Sequence, residues 1–137
     1  MPKVNESLLA TLPHRFPILM LESCPIKEDD WAVITLSIPK DSLFLKSDGT
    51  IEEACFLEMM AQCFASYANL SATTNFGYLA QVKNLNIFGH ATAETILTVK
   101  TKPTFQLGNI IVVQGIVVAD QEVLAQAEFK VFHPGQN

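Results

Sequence analysis

With 137 residues, the chain has the length of one ordinary domain, enough to bury roughly two-thirds of the surface it exposes when unfolded. Hydrophobic residues make up 49% and charged residues 17%, a composition that excludes a disordered chain. The formal net charge is −5, with Arg15 the sole arginine, so no basic surface for nucleic acid is expected.

No apolar run approaches the roughly 18 residues that a membrane span needs. Residues Met1 to Leu12 lack a basic start followed by a long apolar block, so a cytoplasmic protein is expected. The three cysteines, Cys24, Cys55 and Cys63, form no CxxC pair. Cys55 and Cys63 fall within an apolar segment and read as small buried hydrophobes, and no metal site or cofactor is expected.

In chain order, Asn5 can cap a short helix over Glu6 to Leu12 that Pro13 stops. Ile18 to Leu21, between Pro17 and Pro25, reads as a strand. Trp31, Val33, Thr35 and Ser37 alternate with Ala32, Ile34, Leu36 and Ile38, a strand periodicity that ends at Pro39. From Thr50 to Leu70 the spacing predicts one long helix. Thr50 and Glu53 fit a capping box at its start, and Glu52 and Glu53 suit the positive end of its dipole. This helix is apolar nearly all round and is expected to be buried on most sides.

One line on it differs. Glu58, Gln62, Ser66 and Asn69 stack on a single face at spacings of four, four and three. After a polar loop over Ser71 to Asn75, the chain reads as four strands: Tyr78–Phe88, Glu94–Phe105, Ile110–Ala119 and Val123–Phe132. Asp120-Gln121 is the tight turn between the last two. Short connections favour antiparallel pairing, and one domain over residues 1–137 is expected: an α+β architecture with a curled sheet around one buried helix. The aromatics Phe44, Phe56, Phe64 and Phe105 are expected in the core. Lys83, Lys100 and Lys102 read as solvated strand faces rather than as a docking surface for an acidic carrier.

Two stretches resemble a known family. Leu12-Pro13-His14-Arg15-Phe16-Pro17-Ile18-Leu19-Met20-Leu21 resembles the "LPHRxPxLLLD" opening of the bacterial 3-hydroxyacyl-ACP dehydratases of hotdog fold, the FabZ/FabA group. Glu58-Met59-Met60-Ala61-Gln62 resembles their "EAMAQ" helix motif. The resemblance implies a hotdog fold, pairing into dimers with a continuous sheet, and acyl tunnels near the dimer interface. It also implies a reaction that removes water from a 3-hydroxyacyl thioester carried on acyl carrier protein or CoA. On this reading Glu58 is the catalytic carboxylate, Gln62 orients a neighbour by hydrogen bonding, and Phe44 and Met59 are candidates to line a tunnel.

The departure is equally informative. Active members carry a "GHFP" histidine fourteen residues before the acidic residue; here that count lands on Phe44, and no histidine lies between His14 and His90. Elimination needs both a base and an acid, and Glu58 supplies one of them. The pattern resembles a divergent subgroup that accompanies aryl-polyene-type pigment synthesis, in which a histidine-bearing hotdog paralogue completes the site. His14 reads as a structural or entrance residue, His90 as a turn or interface residue and His133 as incidental. The leading expectation is a dehydratase-like subunit of fatty-acid, polyketide or polyene acyl-chain synthesis, in a homodimer or heterodimer. The alternatives are a non-catalytic acyl-binding scaffold and a hotdog thioesterase.

Overall fold

The computed structural model describes residues 19–69 and 78–132. The predicted Glu6–Leu12 helix, most of the first motif with His14 and Arg15, the Ser71–Asn75 loop and His133 lie outside the described residues.

Two short strands, β1 (Ile26–Glu28) and β2 (Trp31–Leu36), precede the helix α1 (Ala54–Asn69). Four longer strands follow it: β3 (Tyr78–Ile87), β4 (Leu97–Leu107), β5 (Ile110–Ala119) and β6 (Glu122–Phe132). They form one antiparallel sheet in the order β1-β2-β4-β5-β6-β3. The chain thus winds β4–β5–β6 as a meander, and β3 closes onto the far side of β6. This is the expected α+β hotdog arrangement, with α1 lying against the sheet.

Local chemistry explains the turns. Asp120 and Gln121 both adopt positive φ, 51° and 68°, which matches the two-residue type I′ loop favoured by the twist of paired strands. Gly108 takes φ 58° at the first position of the β4–β5 loop, where a side chain would be strained.

From Ala54 to Asn69 there is no Gly or Pro, and Ala, Leu, Met, Glu and Gln are strong helix formers. Phe56, Met59, Met60 and Cys63 are fully buried on α1, as predicted. They meet Leu97 and Val99 of β4, Val113 and Val117 of β5, and Phe129 of β6 in one core. Fully burying each large side chain of this kind stabilises the fold by about 1.5–3 kcal/mol.

Several boundaries differ from the sequence reading. The helix starts at Ala54, not Thr50. Thr50 makes an isolated bridge to Thr92, and its N–H and hydroxyl both donate to the Asp48 carboxylate at 2.9 and 2.6 Å. Those two bonds hold the Asp48 carboxyl below its usual pKa and leave no capping box. Glu53 reaches Lys46 instead, at 3.8 Å.

Leu19–Leu21 is not a strand, because the Met20 N–H bonds a side chain rather than a neighbouring strand. The strand that does precede β2 is β1, unforeseen in the polar run Lys27-Glu28-Asp29-Asp30 and closed by Asp29 at φ 57°. β4 begins at Leu97 rather than Glu94, whose φ of 67° is incompatible with a strand. Phe105 is 60% exposed rather than in the core. The pairing with β5 skips Thr104, and this bulge reverses the inward–outward alternation beyond Pro103.

Candidate active site

Glu58, Gln62 and Ser66 share one face of α1, as their spacing predicts. Glu58 is half-buried, whereas Gln62 and Ser66 are 0% exposed. The Asn69 side chain lies outside the described residues. Gln62 Nε2 donates to Glu58 Oε1 at 3.0 Å, and the Met20 N–H donates to Gln62 Oε1 at 2.8 Å. A buried primary amide is costly unless hydrogen-bonded, and these two bonds engage both of its ends. The sequence places Gln62 on the Glu58 face without naming the neighbour it bonds. Sequence reasoning missed the Met20 backbone, whose only signal was its place at the end of the first motif.

Phe44, at the position where the family histidine is expected, is half-buried and packs against the core. Its carbonyl accepts the Glu52 N–H at 2.8 Å, and its N–H donates to Ser42 Oγ at 3.0 Å. Leu45 and Ile51 bridge across a tight loop, and the Ile51 N–H donates to the Ala91 carbonyl at 2.8 Å. The segment therefore remains a well-bonded lead into α1 although it carries no imidazole. Met59 is fully buried among the core residues rather than at a surface. His90, exposed after β3, is the one histidine among the described residues.

The cysteines are poor nucleophiles. Burial, with the nearby Glu52 and Glu58 charges, pushes the Cys55 thiol up to about 11. Burial pushes Cys63 up to about 12, although the Thr101 hydroxyl donates to its sulfur at 3.7 Å. Thiolate chemistry at neutral pH is therefore disfavoured at both. Among the described residues, no group of three His, Cys, Asp or Glu side chains could hold a metal ion. No described helix is long and apolar enough to cross a membrane.

An open groove of about 580 Å³ is lined by Lys27, Asp30, Tyr67, Lys102, Pro103 and Thr104. Lys102 also lies over the Trp31 ring, 4.7 Å from its centroid. Tyr67 is nine residues beyond Glu58, about two and a half turns, so it projects from the opposite side of α1. The groove is separate from the Glu58 face. Glu58 with Gln62, on a largely apolar and buried helix, is the feature chemically suited to moving a proton.

Comparison with known proteins shows the family and the fold. The family model of the ApeP-like dehydratases, described as ApeP dehydratase, matches residues 6–137. No curated protein is significantly similar in sequence. Among solved structures, the chain resembles the dehydratase heterocomplex ApeI:P from Xenorhabdus doucetiae, with a TM-score of 0.75 and 18% identity over 94% of this chain and 91% of that one. It also resembles a hypothetical thioesterase with coenzyme A from Streptococcus pneumoniae, with a TM-score of 0.67 and 17% identity over 86% and 91% of the two chains. For the PaaI protein of the Escherichia coli phenylacetic acid degradation operon the TM-score is 0.64, with 16% identity over 80% and 77%. At these identities the structural likenesses show the hotdog fold alone, while the family match spans nearly the whole sequence. The chain belongs to the ApeP-like dehydratase family.

Proposed function

We propose that this chain is the carboxylate-bearing subunit of a composite hotdog dehydratase acting on 3-hydroxyacyl thioesters, held on acyl carrier protein or CoA. A hotdog partner supplies the histidine. The observation that carries the reading is Glu58, half-buried on an apolar helix and bonded to Gln62, in a chain with Phe44 at the expected histidine position. The likeness to the ApeI:P heterocomplex supports a partner of the same fold. So does β3: it ends the sheet, and residues 81–86 are exposed on both faces, including Val82 at 37% and Leu85 at 36%. A long open strand edge is a ready template for a partner strand.

In the proposed reaction the partner's imidazole takes the proton on the carbon next to the thioester carbonyl. That electron pair forms the new double bond as the bond to the 3-hydroxyl breaks. The Glu58 carboxyl gives its proton to the departing hydroxyl, which leaves as water. Solvent then returns the imidazole proton to Glu58. Two groups of separated acidity suit this division of labour.

The test is a dehydration assay on the chain, on the chain with its partner, and on the Glu58→Gln complex. The chain alone is expected to be inactive and the complex active. Glu58→Gln is expected to lower the rate about 10²–10⁴-fold without dispersing the complex. Robust activity from the chain alone would refute the composite site. An unaffected Glu58→Gln complex would favour a non-catalytic scaffold.

A further inference from the structure

β5 departs from the apolar-in, polar-out alternation of an antiparallel sheet that has one face on a core. Its inward residues Ile111, Val113, Val117 and Ala119 are buried. Its outward residues Ile110, Val112, Ile116 and Val118 are apolar too, with Gln114 the one polar side chain among them. The bulge at Thr104 extends this outward surface to the end of the sheet. Phe105 stands opposite Val112, Leu107 opposite Ile110, and Ile110 opposite Phe132, so all five share the outward face. Phe105 and Leu107 are 60% and 72% exposed, while Gln106 between them pairs with inward Ile111. Without the bulge, Gln106 would face outward and its two apolar neighbours inward. A bulge gives up ladder pairing to re-aim side chains, and this one turns two large apolar groups into water.

The charges of the same face lie behind this apolar end. Lys130 stands opposite Val112, Glu128 and Lys102 stand on either side of Gln114, and Lys100 stands opposite Ile116. Glu128 is matched by Lys83 at 3.6 Å, and Asp30 lines its groove together with Lys27 and Lys102. The Gly108-Asn109 turn at the tip carries no charge. A chain of net charge −5 thus gathers Lys100, Lys102 and Lys130 behind an apolar tip.

We propose that the end of the β4–β5 hairpin, with Phe105, Leu107, Ile110 and Phe132, is a peripheral docking surface for an anionic lipid bilayer, the apolar side chains entering the interface and Lys130 and Lys102 meeting the phosphates. Successive outward positions on a strand are about 7 Å apart, which sets Lys130 roughly one head-group depth behind Phe132. A second copy laid on the same face would set Lys100, Lys102 and Lys130 against themselves. An acidic protein fits less well, because a protein interface has an apolar centre ringed by polar groups, whereas these lysines stand on one side of the apolar end. The inference is independent of the role of Glu58.

Co-sedimentation with vesicles tests this on the purified protein with any partner that accompanies it. Vesicles of equal parts phosphatidylcholine and phosphatidylglycerol are expected to bind it, less tightly as salt rises, and pure phosphatidylcholine vesicles to bind it poorly. Phe105→Ser with Leu107→Ser is expected to lower the affinity roughly tenfold or more, because the entering apolar area is lost. Both side chains are exposed, so circular dichroism and Tm should stay near wild type. Lys130→Gln should lower the affinity about fivefold, while Lys40→Gln, beyond the far end of β2, should leave it unchanged. In Leu107→Trp, made with Trp31→Phe, the indole emission should move to shorter wavelength on the anionic vesicles. No binding to those vesicles at low salt, or binding that survives Phe105→Ser with Leu107→Ser, overturns the proposal. The same emission shift with polyglutamate in place of vesicles assigns the surface to an acidic protein and also overturns it. So does a larger assembly in sedimentation velocity, without lipid, that the double variant disperses, since that assigns the surface to a second copy.

Discussion

Replacing Gly115 with alanine asks whether one missing side chain sets the height of α1 above the sheet. Gly115 lies on β5, paired with Thr101 of β4 and Ala127 of β6, and is buried beneath α1. A Cβ there would stand 2.6 Å from Met60 Sδ, 3.0 Å from Cγ and 3.2 Å from Cβ. Ordinary non-bonded contact lies near 3.5–4.0 Å, so the sulfur must withdraw by about 1 Å. The thioether is flexible, but the Met60 Cβ moves only with the helix. Overpacking of this kind costs about 1–3 kcal/mol, and alanine recovers about 0.5–1 kcal/mol over glycine within a strand. The expected net loss is about 1–2 kcal/mol, or roughly 3–6 °C in Tm for a chain of this length. Met60→Ala alone should cost about 2–5 kcal/mol through the cavity it leaves. Combining the two lets the new methyl enter that cavity, so the double variant should lose less than the sum of the singles. Equilibrium urea unfolding of the three variants measures this, and the dehydration rate of the complex reports whether the shift reaches the site. Met60 stands two residues from both Glu58 and Gln62, so displacing it should lower the rate as well. A Gly115→Ala protein as stable as wild type, or strictly additive losses, would refute the close-approach argument.

The remaining expectations concern the thiols and the sheet edge. At pH 8 a thiol reagent should modify half-buried Cys24 first, with Cys55 and Cys63 reacting only on unfolding; fast labelling of Cys63 in the native protein would contradict its burial. Because the folded protein raises the Cys63 pKa from 9.0 to about 12, its contribution to stability is full below pH 9 and is lost as the pH rises toward 12. Denaturant midpoints should therefore fall more steeply across that window in wild type than in Cys63→Val, and equal slopes would count against it. Leu85→Lys on β3 should weaken the assembly seen by sedimentation while leaving the helical circular dichroism of the subunit intact; unchanged assembly would move the partner surface away from that edge.

The parts of the fold that could be read from residues are those where one physical demand dominates. The alternation of Trp31 to Leu36 survives as β2, and the apolar run from Ile110 to Ala119 is a central strand buried on its inward face. The β5–β6 turn was legible because Asp120, Gln121 and Glu122 break off the apolar run of Ile110 to Ala119 before the chain returns at Val123. Errors arose where tertiary partners outweighed local preference. Thr50 has a cap signature, but the Asp48 carboxylate takes both its N–H and its hydroxyl, and its backbone bridges to Thr92. Phe105 fits a buried strand pattern until the Thr104 bulge shifts the alternation by one, which no periodicity count can register. β1 is polar and three residues long, exists only by pairing with β2, and has no signal of its own.

The site was legible to a different degree, and the reason lies in which atoms make it. Glu58 and Gln62 are one turn apart on a strongly predicted helix, so their contact follows from helix geometry alone. The Met20 N–H that orients Gln62 is 42 residues away and is a backbone group, identical at almost any residue type. No side-chain pattern could have named it. The Phe44 segment shows the complementary case: its side chain was readable as a departure from the family, whereas the hydrogen bonds that keep it in place run through its backbone. A loop held by backbone bonds can lose a histidine without losing its path into α1. Under the proposed function, that is the structural condition that lets a subunit without the histidine still present Glu58 on α1.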